Sequence, residues 1–388
     1  MLDVWPALPL LIDDEVFQDY ADNIVAALER SDRVVDISLD IYSDSALEKV
    51  SAAMHVPFPE LKILEISCFR GKMGTSPPDP FLGGSAPSLR YLELHRIPLP
   101  VFPKPLLSAT HLINLYLTGI PHSGYISPEA MVATLSALTS LKSLTLGFES
   151  PQSCPDRESR RPPPPTRVVV PVLTFLKFKG DNGYIDDLMA SINVPRLNDL
   201  DIIFFNQIIF DTPQLMQFIS RTPGLKALAN AYVAFCGDMG DSASVSLSST
   251  TSGSGRIKVT VRCKEVDWQV SSMEQVCTSC LPPLPTLEDL RIVTRPDRTY
   301  WHDNVENALW LELLHPFTTV RNLYLSEAIA PHIVPAMQEL VGGRATEVLP
   351  TLQRIFLGWL QPSGPVREGI EKFVAARQGS TAVGSWAG

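Results

Sequence analysis

Apolar residues recur along the chain in a hexad: a leucine, two variable residues, a second leucine, one variable residue and a third apolar side chain. Strict copies stand at Leu61/Leu64/Ile66, Leu89/Leu92/Leu94, Leu112/Leu115/Leu117, Leu141/Leu144/Leu146, Leu173/Leu176/Phe178, Leu197/Leu200/Ile202 and Leu287/Leu290/Ile292. Looser copies stand at Val34/Ile37/Leu39, Val320/Leu323/Leu325 and Leu352/Ile355/Leu357. On a helix the first and last positions of a hexad would lie about 140° apart, so the hexad is not one helical face. Its last three positions alternate with the period of a strand, and each copy is expected to be a short one.

The first positions 34, 61, 89, 112, 141, 173, 197 and 225 are 27, 28, 23, 29, 32, 24 and 28 residues apart. That is the range of leucine-rich repeats or slightly beyond it. The copy at Leu225/Leu228 lacks its third apolar residue, and the alternating run Ile257 to Val261 falls where a missing strand should lie. Proline stands two residues before the first apolar position at Pro59, Pro87, Pro171, Pro195, Pro223, Pro285 and Pro350, which suits the start of a strand and argues against a helix running into it. Between the strands lie amphipathic segments: Asp19 to Arg30, Ser45 to Ala53, Ser127 to Leu138, Tyr184 to Ile192, Asp211 to Ser220, Trp268 to Ser279, Asn304 to Leu314 and Pro365 to Ala376. Ser127-Pro128-Glu129 and Asp211-Thr212-Pro213 carry helix-start signals. The expected fold is α/β: an irregular leucine-rich-repeat solenoid, a horseshoe with parallel strands on its concave face and helices outside. One repeat cannot bury its apolar face alone, so residues 1–377 are expected to form one domain of about eleven stacked repeats. Irregular insertions are expected at 70–85, 149–167 and 237–255, and 378–388 as a flexible tail.

Composition agrees with a folded chain, with 45% hydrophobic and 19% charged residues. The formal charge of −10 provides no general basic field for nucleic acid. No apolar run reaches the length of a transmembrane helix and Met1 to Leu11 lacks a signal peptide's basic start, so no membrane partner is expected and the placement reads as cytoplasmic or nuclear. The 6 cysteines are too few for a disulfide scaffold. Cys277-Thr278-Ser279-Cys280 alone has a catalytic spelling, but it falls at a helix C-terminal end, where the dipole disfavours thiolate, and no second ligand pair is spaced for zinc. The histidines (His55, His95, His111, His122, His302, His315, His332) are scattered, and no phosphate-loop, dinucleotide or nucleophile-elbow pattern occurs. No catalytic, cofactor or metal residue is expected, and the chain reads as a non-enzyme.

A repeat of this kind provides a surface. With the hexad's apolar positions turned inward, the interleaved residues form ladders on the concave face, where a protein partner is expected. The candidates are Glu65, Tyr91, Glu93, Asn114, Tyr116, Phe175, Lys177, Lys179, Asp199, Asp201, Arg291, Tyr324, Arg354 and Phe356, a mixture of charges with the aromatic and arginine anchors typical of interface hot spots.

The Pro-x-Leu-x-x-Leu-x-Leu strands at irregular spacing, with phrases such as Ser85 to Leu94 and Arg221 to Leu225, resemble the repeat region of fungal F-box proteins with leucine-rich repeats. The resemblance covers nearly the whole chain. It implies capture of a substrate for a cullin ubiquitin ligase. The F-box itself, a Leu-Pro-x-Glu helix, is not found here; Met1 to Leu10 reads as a strand in mid-repeat. A Skp1-type adaptor is therefore expected only if an F-box lies upstream, and no adaptor-binding residue is carried over. The alternative keeps the repeats without ubiquitin: a scaffold or inhibitor.

Overall fold

The computed structural model describes residues 8–17, 21–69, 81–98, 104–153, 166–206, 209–235, 242–250, 255–294, 305–340, 346–358 and 364–378 of the 388. The expected tail 378–388 and the proline run 162–165 fall outside them, apart from residue 378. Two compact units divide the chain, Met1–Leu197 and Asn198–Gly388.

In the first unit, strands β1 (Leu10–Val16), β2 (Val34–Ile41), β3 (Ile63–Cys68), β4 (Tyr91–His95), β5 (Asn114–Ile120), β6 (Ser143–Phe148) and β8 (Phe175–Gly180) pair side by side in that order, all parallel. Helices α1 (Ala21–Leu28), α2 (Asp44–Ala53), α3 (Lys104–Ser108), α4 (Pro128–Ala137) and α5 (Asn182–Ser191) lie in the connections, and β7 (Val168–Val169) pairs with β9 (Ile192–Asn193) in a small second sheet. Ser127 caps α4, its Oγ accepting from the Ala130 amide at 3.2 Å.

Strand burial follows the hexad. Along β3 and β4, Leu64, Ile66, Leu92 and Leu94 are at most 3% exposed, while the residues between them are half-buried. The core side is closed by neighbouring helices, α1 beside α2 and α4 beside α5. At the β6–β8 end it is aromatic, with Phe148 4.9 Å and Phe178 5.5 Å from the Tyr184 ring. The prolines occupy the second position of tight turns that precede the strands. The amides of Leu61, Leu89, Leu197, Leu287 and Leu352 donate to the carbonyls of Phe58, Ala86, Val194, Leu284 and Leu349 at 3.0–3.3 Å. Fixed φ and a missing donor suit that position.

In the second unit, strands β10 (Asp199–Phe204), β11 (Asn230–Phe235), β12 (Ala243–Ser248), β13 (Arg256–Val261), β14 (Asp289–Thr294), β15 (Asn322–Leu325) and β16 (Arg354–Leu357) are ordered β10-β13-β12-β11-β14-β15-β16. Helices α6 (Pro213–Arg221), α7 (Val266–Gln275), α8 (Asn307–Leu314) and α9 (Ala330–Gln338) lie in the connections and α10 (Pro365–Gln378) follows β16, with α7 packed on β11, β12 and β13. This unit departs from the sequence reading in three ways. Ala243–Ser248, within the tract expected to be an irregular insertion, is a strand that buries Ala243, Val245 and Leu247. It runs antiparallel to both neighbours, so the sheet is mostly rather than wholly parallel. The run Ile257 to Val261 is a strand as expected, but the meander places it beside β10. Third, the hexad near 225 is shifted by three residues. Leu228, Ala231 and Val233 are its buried positions, and Pro223 to Leu225 form only a turn. Thr286 confirms the shift: its hydroxyl donates to the Leu228 carbonyl at 2.8 Å, as Thr319 does to Leu287 at 2.8 Å and Thr351 to Val320 at 2.9 Å.

Helix α9 was hidden by its own Pro331 and Pro335; the first sits in the opening turn and the second is exposed. Thr212 precedes α6 without capping it through its side chain, so the expected start signal there reduces to Pro213.

Candidate partner-binding face

Helices close one side of each sheet, and strand register arranges the residues of the other side in rows. In the first unit one row runs Leu11, Asp36, Ile63, Tyr91, Asn114, Ser143, Phe175; the next runs Asp13, Ser38, Glu65, Glu93, Tyr116, Thr145, Lys177. The third holds Glu15, Asp40, Ser67, His95 and Thr118, and, after a register shift, Gly147 beside Lys179. A fourth row lies just past the strand ends, where Phe17 stacks on Tyr42 at 4.9 Å and Tyr42 on Phe69 at 5.4 Å. Phe69 lies 6.0 Å from the His95 ring. Phe17 and Phe69 are 44% and 45% exposed, unusual for side chains of this size.

Charge is segregated on this face. Among the described residues, its β1–β4 rows hold Asp13, Glu15, Asp36, Asp40, Glu65 and Glu93 and no lysine or arginine; Lys62 and Arg90 stand at the opposite rim, ahead of β3 and β4, and Arg96, just past β4, is paired with Glu149 at 3.0 Å. Partial burial raises the Glu65 pKa above its ordinary 4.5, and repulsion from Glu93, Asp36, Asp13 and Asp40 adds to it. Asp36 is raised by burial and then by Asp13. Tyr91 donates to Glu93 Oε2 at 2.6 Å, and burial followed by that bond makes its hydroxyl harder to ionise. Its ring lies 5.4 Å from Tyr116. His95 Nδ1 is 2.8 Å from Thr118 Oγ1, and its pKa is lowered by burial and then by Arg96. The cations of the face come later, at Lys177 and Lys179 on β8.

The second unit carries a different row. Register places Tyr232, Arg291, Tyr324 and Phe356 side by side. The Arg291 guanidinium sits 4.6 Å over the Tyr324 ring, which stacks on Phe356 at 4.4 Å. Asp199 is paired with Arg256 at 3.0 Å.

The fourteen residues expected from the sequence thus sit on two faces. Glu65, Tyr91, Glu93, Asn114, Tyr116, Phe175, Lys177 and Lys179 belong to the first unit; Asp199, Asp201, Arg291, Tyr324, Arg354 and Phe356 belong to the second. Asp201, at 8% exposure, is too buried to offer a contact. Sequence reasoning missed Tyr232, displaced by the shifted hexad, and the Phe17/Tyr42/Phe69 row. Continuing the alternation of the Val34 and Leu61 hexads by one more step would have found Tyr42 and Phe69; Phe17 follows β1, Leu10–Val16, which no hexad marks.

Cys277 and Cys280 are buried on a π-helical turn, Val276–Cys280, and burial, then the neighbouring Cys280, pushes the Cys277 thiol up. An open cleft of about 580 Å³ in the second unit is lined by Glu274, Thr278, Glu312, His315 and Glu347 among others. The Thr278 hydroxyl is engaged with the Glu274 carbonyl at 3.0 Å. Among the described residues no group of three or more His, Cys, Asp or Glu could hold a metal ion, and no helix is long and apolar enough to cross a membrane.

No family model and no curated protein matches this sequence. Among solved structures, the chain is similar to the leucine-rich repeat-containing protein LegL7 from Legionella pneumophila at 13% identity, over 87% of this chain and 91% of that one, with a TM-score of 0.31. No residue role is carried over from it.

Proposed function

We propose that the chain is a non-catalytic protein-recognition domain, a leucine-rich-repeat solenoid whose open strand face, concave in such a fold, receives a protein partner. One observation carries this reading. The repeat uses alternate strand residues for its core, and the remaining ones form rows of rings and charges, the chemistry that anchors interfaces. Affinity capture from a native extract tests it, comparing the wild type with a Tyr91→Ala/Tyr116→Ala/Tyr324→Ala variant that retains its circular dichroism spectrum. Loss of the captured protein is expected. Undiminished capture would assign recognition to the helix side.

The likeness of the Pro-x-Leu strands to fungal F-box proteins supports a finer proposal, that the partner is a substrate for ubiquitination. Purification of the full gene product from its own cells would then bring down a Skp1-type adaptor. Without one, the chain is a scaffold or inhibitor.

A further inference from the structure

We infer that the β1–β4 part of the first unit's open face docks an arginine- or lysine-rich segment of a partner protein. This rests on the recognition reading above and names its partner class. Two independent features of the sheet face converge. Six carboxylates stand in its rows with no lysine or arginine among the described residues of those rows, so a basic partner supplies a matching countercharge. Beside the Glu15/Asp40 row runs the exposed Phe17/Tyr42/Phe69 stack, apolar surface at a length that suits the stems of arginine and lysine, whose heads then reach the neighbouring carboxylates.

The spacing decides between cation classes. The described carboxylates do not gather into any group able to hold one metal ion. They are distributed over four strands, roughly 15 Å of sheet at about 4.8 Å per strand. Their complement is a series of separated cations on one backbone. Repulsion among Glu65, Glu93, Asp36, Asp13 and Asp40 is relieved when such a segment binds. The rings make the dock more than a diffuse negative field, because their contribution depends on contact and survives salt.

Fluorescence anisotropy of the whole chain with a labelled peptide alternating arginine and serine tests this, with a glutamate–serine peptide as counterpart. The arginine peptide should bind and the glutamate one should not. Asp36→Asn/Asp40→Asn/Glu65→Gln should weaken binding about tenfold or more. Asp22→Asn/Glu29→Gln/Glu48→Gln, the same charge change on the helix side, should leave it within about twofold. Phe17→Ala/Phe69→Ala, with every charge retained, should weaken it about threefold or more. Equal weakening by both charge triples, or an unchanged ring variant, would reduce the binding to a general field and overturn the inference. A dimer in sedimentation that the Asp36/Asp40/Glu65 triple dissolves would assign the face to a second copy and overturn it too. If the extract-derived partner is lost from the tyrosine variant but kept by that triple, recognition by the face stands and the basic class falls.

Discussion

Glu65→Gln should stabilise the protein at neutral pH, although it deletes a charge from a strand centre and fills no cavity. Glu65 lies directly across from Glu93 in the β3–β4 register, with Asp36 and Asp40 on the adjacent β2 and Asp13 one strand further on β1. For charges about 6 Å apart in a water-like medium the repulsion is about 0.7 kcal/mol per pair, and physiological salt roughly halves it. Summed over the near neighbours, and with the partial desolvation of the carboxylate also removed, the gain is about 1 kcal/mol. For a unit of this size that corresponds to a rise of about 2–4 °C in Tm.

The pH dependence fixes the sign. A carboxyl whose folded pKa stands above its ordinary 4.5 favours folding while it is protonated; that contribution is present below 4.5 and is lost as pH rises through the higher folded value. Glutamine never ionises, so the variant's advantage should be small at pH 4, grow through the acid range and level off by neutrality. Urea melts of both proteins at pH 4 and pH 7.5, repeated in high salt, measure it. A destabilised variant, or an advantage equal at both pH values, would refute the picture of mutually repelling carboxylates on this face.

Three further outcomes are expected. Gly255→Ala places a methyl group 2.0 Å from the backbone oxygen of Gly224, so the turn before β11 must move, and denaturant melts should show a loss of about 2–4 kcal/mol; Gly147→Ala, whose new atom meets nothing nearer than 3.6 Å, should change stability by under about 0.5 kcal/mol. Thr212→Val should be neutral or stabilising by up to about 1 kcal/mol in the same assay, because the Thr212 hydroxyl is buried without a hydrogen-bond partner. Cys277 and Cys280 should resist thiol titration in the folded protein and react on unfolding, since burial opposes thiolate at Cys277 and Cys280 is fully buried; rapid labelling of the native chain would reopen thiol chemistry.

The strands were legible because the core requires Leu, Ile or Val at every second position, and seven strict hexads print that requirement directly into the sequence. Reading failed where the same physics is met by other residues. In β11 Ala231 fills the place of a leucine, so the hexad seemed to start at Leu225, and Tyr232 was lost from the candidate face. In β12 the alternation Ala-Ser-Val-Ser-Leu-Ser has the right period, but serine and its glycine-rich surroundings disguised it as a loop. Its antiparallel direction follows from short connections on both sides, which no hexad count reveals. On the candidate face the strand pattern located single residues, but only register joined them into rows, and the charge segregation exists only once the rows are assembled.

That segregation bears on why the face looks as it does. Residues on this side of the sheet are nearly free of the fold's demands, so a random mixture of polar side chains would serve stability equally well. Instead the first four strands align carboxylates that repel one another, and leave Phe17 and Phe69 exposed beside them. The first opposes stability and the second opposes solubility. Neither is needed by the core, which is complete on the helix side at Leu64, Ile66, Leu92 and Leu94. Departures from local stability that the fold does not require belong, as a rule, to function. A basic partner segment would offset both at once, neutralising the carboxylates and covering the rings. The Glu65→Gln melt and the peptide titration are therefore coupled: a variant that gains stability should lose affinity for the arginine peptide, and a gain in both would break the link between the acidic rows and binding.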